Sequence, residues 1–391
     1  MNDNTTDIVG ARWQMWPLYA AGFTTAFGAH AVAANLVFDL DDLTNSVLYL
    51  GLLLALYDGA EVLLKPVFGT LADRVGAKPV LLGGLIAFSA ASLLFVVVAD
   101  TEWLWLARLG QGAAASAFSP AASSSVARLT PKGLHGSAFG TYGFYKSLGY
   151  TLGPLLGGVI VWTGGLTLLF AVMAALAVVV AIWATVVVPA LAPLPRARQT
   201  VVDLARRLAD RRFLGPTAAL AASTAALSVG VGFLPVAGVD AGLGPIATGA
   251  AVSVLALCAA FAQPRAGRAL DAGKITVERG VAWGLVVTAT GLALAMIPGL
   301  GGILASAVAV GVGTGIITPL GFAALAAATP PERMGQTMGS AELGRELGDA
   351  GGPLIVAGVA AVATLTAGFG VLALLTLVIG ADSARRRALP E

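Results

Sequence analysis

Charge is scarce in this chain. Only 11% of its 391 residues are charged, 57% are hydrophobic, and the mean hydropathy is +0.86. A soluble domain carries about a quarter charged residues, so this composition excludes an ordinary water-soluble class. Cysteine is almost absent. Cys258 stands alone, which excludes an intramolecular disulfide and reads as a small apolar filler. There are two histidines, His30 and His135, with no HExxH, no paired-cysteine metal motif and no Walker-type nucleotide loop. Nothing in the sequence supports catalysis or ATP hydrolysis. The formal net charge is +2 and the pI about 8.8. That slight basicity comes from a few loops and does not point to nucleic acid.

What is present is a series of apolar runs, each about 20 residues long and able to cross a bilayer core as a helix. The runs lack the alternation of barrel strands. The chain therefore reads as an all-α integral membrane protein with twelve spans, at 16–38, 46–68, 79–98, 103–124, 137–160, 166–188, 214–236, 244–262, 280–296, 302–324, 336–360 and 363–380. The first run follows Asp3 and Asp7 without a small-residue cleavage site, so a retained helix is expected. Placing the N-terminus inside puts nineteen of the 23 basic residues in inner segments and none in outer loops. That asymmetry is the expected signature of cytoplasmic loops. The remaining four, Lys65, Arg108, Lys146 and Arg345, fall within spans. Trp13, Trp16, Trp103, Trp105 and Trp162 fall near span ends, as in an aromatic belt.

The chain divides near its middle into an N-terminal six-helix bundle (1–188), a cytoplasmic linker (189–213) and a C-terminal six-helix bundle (214–391). The halves align at an offset of 199. Pro120, Thr130, Pro131, Gly136, Gly140, Lys146, Gly149, Gly153 and Pro154 match Pro319, Thr329, Pro330, Gly335, Gly339, Arg345, Gly348, Gly352 and Pro353. Parallel repeats of this kind are a transporter architecture, with the substrate site at midplane between them. A duplicated scaffold without transport is the other reading, and charge within the spans weighs against it.

Residues 69–78 read Gly-Thr-Leu-Ala-Asp-Arg-Val-Gly-Ala-Lys between two apolar runs. Gly69, Asp73, Arg74, Gly76 and Lys78 resemble the loop between the second and third helices of the major facilitator superfamily, Gly-x-x-x-Asp-Arg-x-Gly-x-Lys. Ala77 departs from that pattern, since a second basic residue is frequent there. A shortened copy, Gly267 to Lys274, recurs in the second half. The resemblance implies a conformational latch: the Asp73 carboxylate caps backbone N–H groups where the eleventh helix begins. Gly76 supplies a tight turn, and Arg74 and Lys78 anchor the loop.

The fifth span carries Gly140, Gly149, Gly153, Pro154, Gly157 and Gly158. Gly149, Gly153 and Gly157 form a side-chain-free ridge for close helix approach, and Pro154 removes a helix hydrogen bond. The full spacing resembles the fifth-helix motif of proton-coupled antiporters in the superfamily; ordinary small-residue packing is the plainer reading. The fourth span carries Arg108, Gln111 and Gly112, which resemble the family's Arg-x-x-Gln-Gly motif. Its arginine is linked in the family to proton coupling. Arg108 lies about 9 Å below the outer surface, so snorkelling is the competing reading.

Asp58, Glu61 and Lys65 share one face of the second span, and Glu342, Arg345, Glu346 and Asp349 share one face of the eleventh. Unpaired charges cost at least about 2.5–3.5 kcal/mol each at the bilayer centre, so neither stripe can face lipid. In the family these helices meet between the two halves. The stripes read either as a structural ion-pair lattice or as proton-coupling machinery with Lys146. Desolvation favours the neutral form of a carboxyl, and Asp58 and Glu346 are the expected carriers.

The resemblance also places spans one, four, seven and ten around the substrate path. The candidate cavity residues are Thr24, Phe27, His30, Gln111, Ser116, Ser223, Ser228, Thr314 and Thr318, with Tyr142 and Tyr145 from span five. Such a wall suits an amphipathic or lipophilic solute. The implied protein is a drug/proton antiporter-like exporter that works by alternating access. It would draw on the proton gradient, use no cofactor and hold no metal. Its partners would be a small-molecule substrate, protons and the lipid bilayer, with no nucleic acid. It would act as a monomer in the cytoplasmic (inner) membrane, multi-pass, with both termini cytoplasmic. The alternative is a proton-coupled uptake symporter or a facilitator on the same fold.

Overall fold

The computed structural model describes residues 3–35, 43–98, 103–193 and 210–385. These are helical almost throughout, and no strand occurs among them. The first four helices are α1 (Asp3–Asn35), α2 (Leu43–Val75), α3 (Ala77–Val98) and α4 (Leu104–Leu129). The stretch His135–Val187 is broken at Gly164 (φ −155, ψ 21) and Gly165 (φ 67, ψ −173). It therefore forms two helices, α5 (135–163) and α6 (166–187). Then follow α7 (Arg211–Asp240), α8 (Pro245–Asp271), α9 (Val277–Leu294), α10 (Leu300–Ala327), α11 (Met334–Val362) and α12 (Leu365–Arg385). A short 3-10 turn precedes both α5 (Lys132–Leu134) and α11 (Pro331–Arg333).

Among the described residues, six helical stretches are long and apolar enough to cross a bilayer: Ala77–Val98, Lys132–Val187, Phe213–Asp240, Ala247–Asp271, Val277–Leu294 and Leu300–Ala327. The expected first span, 16–38, lies mostly within α1, which starts well before the apolar run; 36–38 fall outside the described residues. So do linker residues 194–209, with Arg196, Arg198, Arg206 and Arg207.

Left-handed glycines end the helices where the chain must turn sharply. Gly76 (φ 101) separates α2 from α3, and its N–H donates to Ala72 O at 3.0 Å. Gly273 (φ 67) does the same after α8, donating to Leu270 O at 2.9 Å. Thr276 then caps α9, its hydroxyl accepting from the Arg279 N–H at 3.3 Å.

The chain forms two compact units. One contains Met1–Pro131, Tyr145–Ala197 and Thr329–Leu343; the other contains Lys132–Phe144, Arg198–Ala328 and Gly344–Glu391. Each thus includes the opening of a helix from the other half of the sequence, α11 in the first unit and α5 in the second.

Helices inside a bilayer gain little from apolar burial against one another, so close packing has to hold them. In the first unit the α5 ridge receives α1. Gly149 lies against Phe23 and Ala26, Gly153 against Phe27 and Ala31, and Gly157 against Ala31 and Asn35. The Asn35 amide ties the top of this contact by donating to Pro154 O at 3.3 Å, on the carbonyl of the ridge proline. In the second unit α11 meets α7 in the same way, with Gly348 against Ala221 and Gly352 against Ala225. A buried apolar cluster around Leu234, Leu255, Val310, Val356 and Phe369 fills that unit.

Candidate functional site

The densest chemistry in the first unit lies where α2 meets the opening of α11. Glu61 and Lys65 sit one helical turn apart on α2, and Lys65 Nζ contacts Glu61 Oε2 at 2.7 Å. Lys65 also lies 4.0 Å from Glu342 Oε2, which accepts from Lys146 Nζ of α5 at 3.2 Å. The result is a chain of alternating charge: Glu61, Lys65, Glu342, Lys146. Side-chain exposures along it are 6%, 1%, 0% and 6%. Two acids and two ammoniums cancel, which is the condition under which buried charge persists. Glu342 holds the centre, with an ammonium on either side.

The other stripe members lie differently. Asp58 is exposed, and its charge acts on Arg108. Arg345 belongs to the second unit, where it is buried. Its carbonyl accepts from Thr224 Oγ1 at 2.8 Å, and its guanidinium lies 5.9 Å from the Phe322 ring centre. Glu346 is half-buried and Asp349 exposed.

Backbone meets backbone beneath the ionic chain. A Cβ on Gly69 would collide with Gly335 O, and one on Gly339 with Lys65 O. This close approach lets the Asp73 carboxylate reach the first turn of α11. Its oxygens accept from the Gly335 and Gln336 N–H groups at 2.7 and 2.8 Å. Those donors have no partner within the helix, and the carboxylate also meets the positive end of the helix dipole. Arg74 is exposed, and Lys78 Nζ donates to Thr185 O at 2.8 Å.

The second unit repeats the device. Asp271, at the end of α8, accepts from the Gly136 and Ser137 N–H groups of α5 at 2.8 and 2.6 Å. Gly267 and Gly136 supply the close approach, and Gly140 rests on Gln263 and Pro264. The shortened copy of the loop motif was visible in the sequence; its carboxylate's partner was not.

Arg108 forms a separate group in the first unit, 1% exposed. Its Nη1 donates to Gln111 Oε1 at 3.3 Å, and Gln111 Nε2 donates to Ser92 Oγ at 2.8 Å. The guanidinium carbon lies 4.3 Å from the centre of the Tyr57 ring, in cation–π range. Sequence reasoning did not single out Tyr57. Its place one turn before Glu61, on the charged face of α2, was the available signal.

The candidate cavity residues fall into both units. Thr24, Ser116, Thr314 and Thr318 direct their hydroxyls to carbonyls of their own helices at 2.8, 2.6, 3.1 and 2.9 Å. Ser223 reaches Thr314 O at 3.4 Å, and Ser228 is half-buried. Phe27 stacks on Phe23, and His30 meets the edge of Tyr150 at 4.4 Å while its Nδ1 pairs with Ala26 O. Tyr145 stacks on Tyr19 at 5.6 Å and meets Trp16 edge-on, an aromatic cluster that sequence reasoning placed only in part. Tyr142 is buried in the second unit.

Long apolar helices that bury charge among themselves define a multi-pass membrane protein. Residues 18–276 match the Major Facilitator Superfamily, and the chain belongs to that family, whose members are transporters and not enzymes. It resembles the quinolone resistance protein NorA of Staphylococcus aureus, with 32% identity over 145 residues. That match spans 37% of this chain and 37% of NorA. The fold matches the human organic anion transporter MFSD10 (TETRAN) with a TM-score of 0.80 at 18% identity, covering 95% of this chain and 99% of that one. It matches the transporter FucP in its outward conformation with a TM-score of 0.77 at 14% identity, covering 96% and 99%.

Proposed function

We propose that this protein is a secondary active transporter that exports a small organic solute in exchange for protons, by alternating access. In this reading it crosses the cytoplasmic membrane twelve times, keeps both termini inside, works as a monomer and uses the proton gradient as its energy source. One observation carries the reading: Glu342 is fully buried between Lys65 and Lys146, with Glu61 completing the chain. Protonating Glu342 removes the negative charge that faces the Lys146 ammonium. The buried arrangement then becomes costly and the chain must open. Loss of the proton restores it. Glu61 and Glu342 are the preferred carriers, because they sit inside this balance, whereas Asp58 is exposed and Glu346 half-buried. The carboxylates of Asp73 and Asp271 serve as latches on helix openings, made in one state and released in the other. The likeness to NorA supports export of a drug-like solute.

The deciding experiment uses proteoliposomes holding a pH-sensitive dye. Uphill solute movement against proton flow is the expected result, abolished in Glu342→Gln. The alternative, uptake by symport or facilitated diffusion, draws on the fold it shares with the fucose:proton symporter FucP. Solute and protons moving in the same direction, or solute moving only down its own gradient, would establish that alternative instead.

A further inference from the structure

The Arg108 group has unmet donor capacity that the ionic chain does not use. Arg108 Nε and the Tyr57 hydroxyl are both buried, and neither has a hydrogen-bond partner in the protein. Among the described residues no ion pair joins Arg108 to a carboxylate. Asp58 and Glu61 act on it only through their fields, and Glu61 is itself paired with Lys65. A buried guanidinium without a carboxylate is costly, because an unpaired charge in a dry site is penalised far more than a neutral polar group.

The second unit shows that the fold has no need of it. There, α8 and α10 cross as α2 and α4 do in the first unit. Gly112 presses on the Tyr57 backbone, and its equivalent Gly311 presses on the backbone of Leu255. At the offsets of the repeat, Tyr57, Arg108 and Gln111 correspond to Leu255, Ala307 and Val310, all members of that unit's apolar core. At these three positions the second crossing carries hydrocarbon side chains alone.

We propose that Arg108 and Tyr57, with Gln111 holding the guanidinium, form a receptor for an anionic group, and that the transported solute carries a carboxylate or comparable anion. Gln111 is a positioning residue: it accepts from Nη1 and is itself fixed by Ser92. Arg108 then offers its remaining N–H groups in the fork geometry that matches a carboxylate, and the Tyr57 hydroxyl adds a neutral donor. With the guanidinium 1% exposed, the solute enters when the surrounding helices part. The inference deepens the transporter reading by naming a substrate class.

The test uses the full-length protein in phosphatidylcholine nanodiscs without a pH gradient. Equilibrium dialysis compares 1-naphthoate with its neutral isostere 1-naphthamide. The expected result is saturable naphthoate binding, tighter than naphthamide by about ten- to hundredfold, the span of one or two charge-assisted hydrogen bonds. Arg108→Leu removes the preference and leaves any naphthamide binding in place, while Arg108→Lys restores part of it. Tyr57→Phe weakens naphthoate several-fold and keeps the protein folded should Arg108→Leu fail to fold. Equal binding of the two probes, no naphthoate binding, or a carboxylate preference that survives in Arg108→Leu overturns the proposal. Intact naphthoate selectivity alongside failed proton-driven transport would instead count against the coupling reading alone.

Discussion

Two helix crossings in this protein are built on one plan and differ in chemistry. Where α2 meets the opening of α11, Asp73 caps two N–H groups and Gly69 meets Gly335. Where α8 meets the opening of α5, Asp271 caps two N–H groups and Gly267 meets Gly136. Higher up they diverge. Glu61, Lys65 and Glu342 in the first crossing correspond to Ala259, Gln263 and Gly143 in the second. A Cβ on Gly143 would run into the Gln263 side chain, so the neutral amide occupies the space that an acid would need. The carboxylate cap and the glycine contact are common to both crossings and are scaffold. The ionic chain occurs in one, so the scaffold does not require it.

The most severe way to break the comparison is Glu342→Gln. It removes the carboxylate that faces both Lys65 and Lys146, at a cost of about 3–5 kcal/mol. A large loss of thermal stability together with absent pH-driven transport is expected; Gln263→Ala in the second unit should leave transport intact. Thermal unfolding and dye-based proton flux read both.

Gly335→Leu and Gly136→Leu should each cost at least about 1–3 kcal/mol by forcing backbones apart. The two variants should lose monodisperse protein on size-exclusion chromatography to similar degrees. A wide difference between them would show that the crossings are not equivalent scaffold.

The quadruple variant Glu61→Ala, Lys65→Gln, Lys146→Met, Glu342→Gly gives the first crossing the neutral composition of the second and leaves no charge of the ionic chain buried without its acid. It should retain folded protein near wild-type yield and lose proton coupling. Retained coupling would remove the ionic chain from the mechanism.

Asp73→Ala and Asp271→Ala should each lower stability by about 0.5–2 kcal/mol, the worth of an N-terminal cap. Matched shifts in melting temperature are expected. The smallest effect belongs to Ser116→Ala, about 0.5 kcal/mol or less. Its hydroxyl already bonds its own helix at Ala113 O, so unaltered solute affinity is expected.

Much of this was readable along the chain. The apolar runs specify helices, the glycines at Gly76 and Gly273 mark the turns, and the spacing of Gly149, Gly153 and Gly157 announces a ridge for a neighbouring helix. The Asp73 motif carried its family resemblance in five residues. Other parts were not readable. The family resemblance and polarity single out Thr24, Ser116, Thr314 and Thr318, but the sequence does not say which partner each hydroxyl takes, because a hydroxyl on a helix can turn to a carbonyl three or four residues back. Asp58 shares a helical face with Glu61 and Lys65, but a shared face does not say how deep each side chain is buried. Tyr57 looks like one more apolar residue of α2 until Arg108 is found over its ring.

The amino-acid sequence by itself determined the helices, their membrane character, the two-fold internal repeat and the family, because hydropathy, helical spacing and glycine or proline positions are local properties. Only the tertiary structure decided which acid meets which base. Lys146 and Glu342 are 196 residues apart, and a charge has no local signature of its partner. Their pairing needs α5 beside the opening of α11, and the contacts of Gly69 and Gly339 press that opening onto α2, where Lys65 meets the same carboxylate.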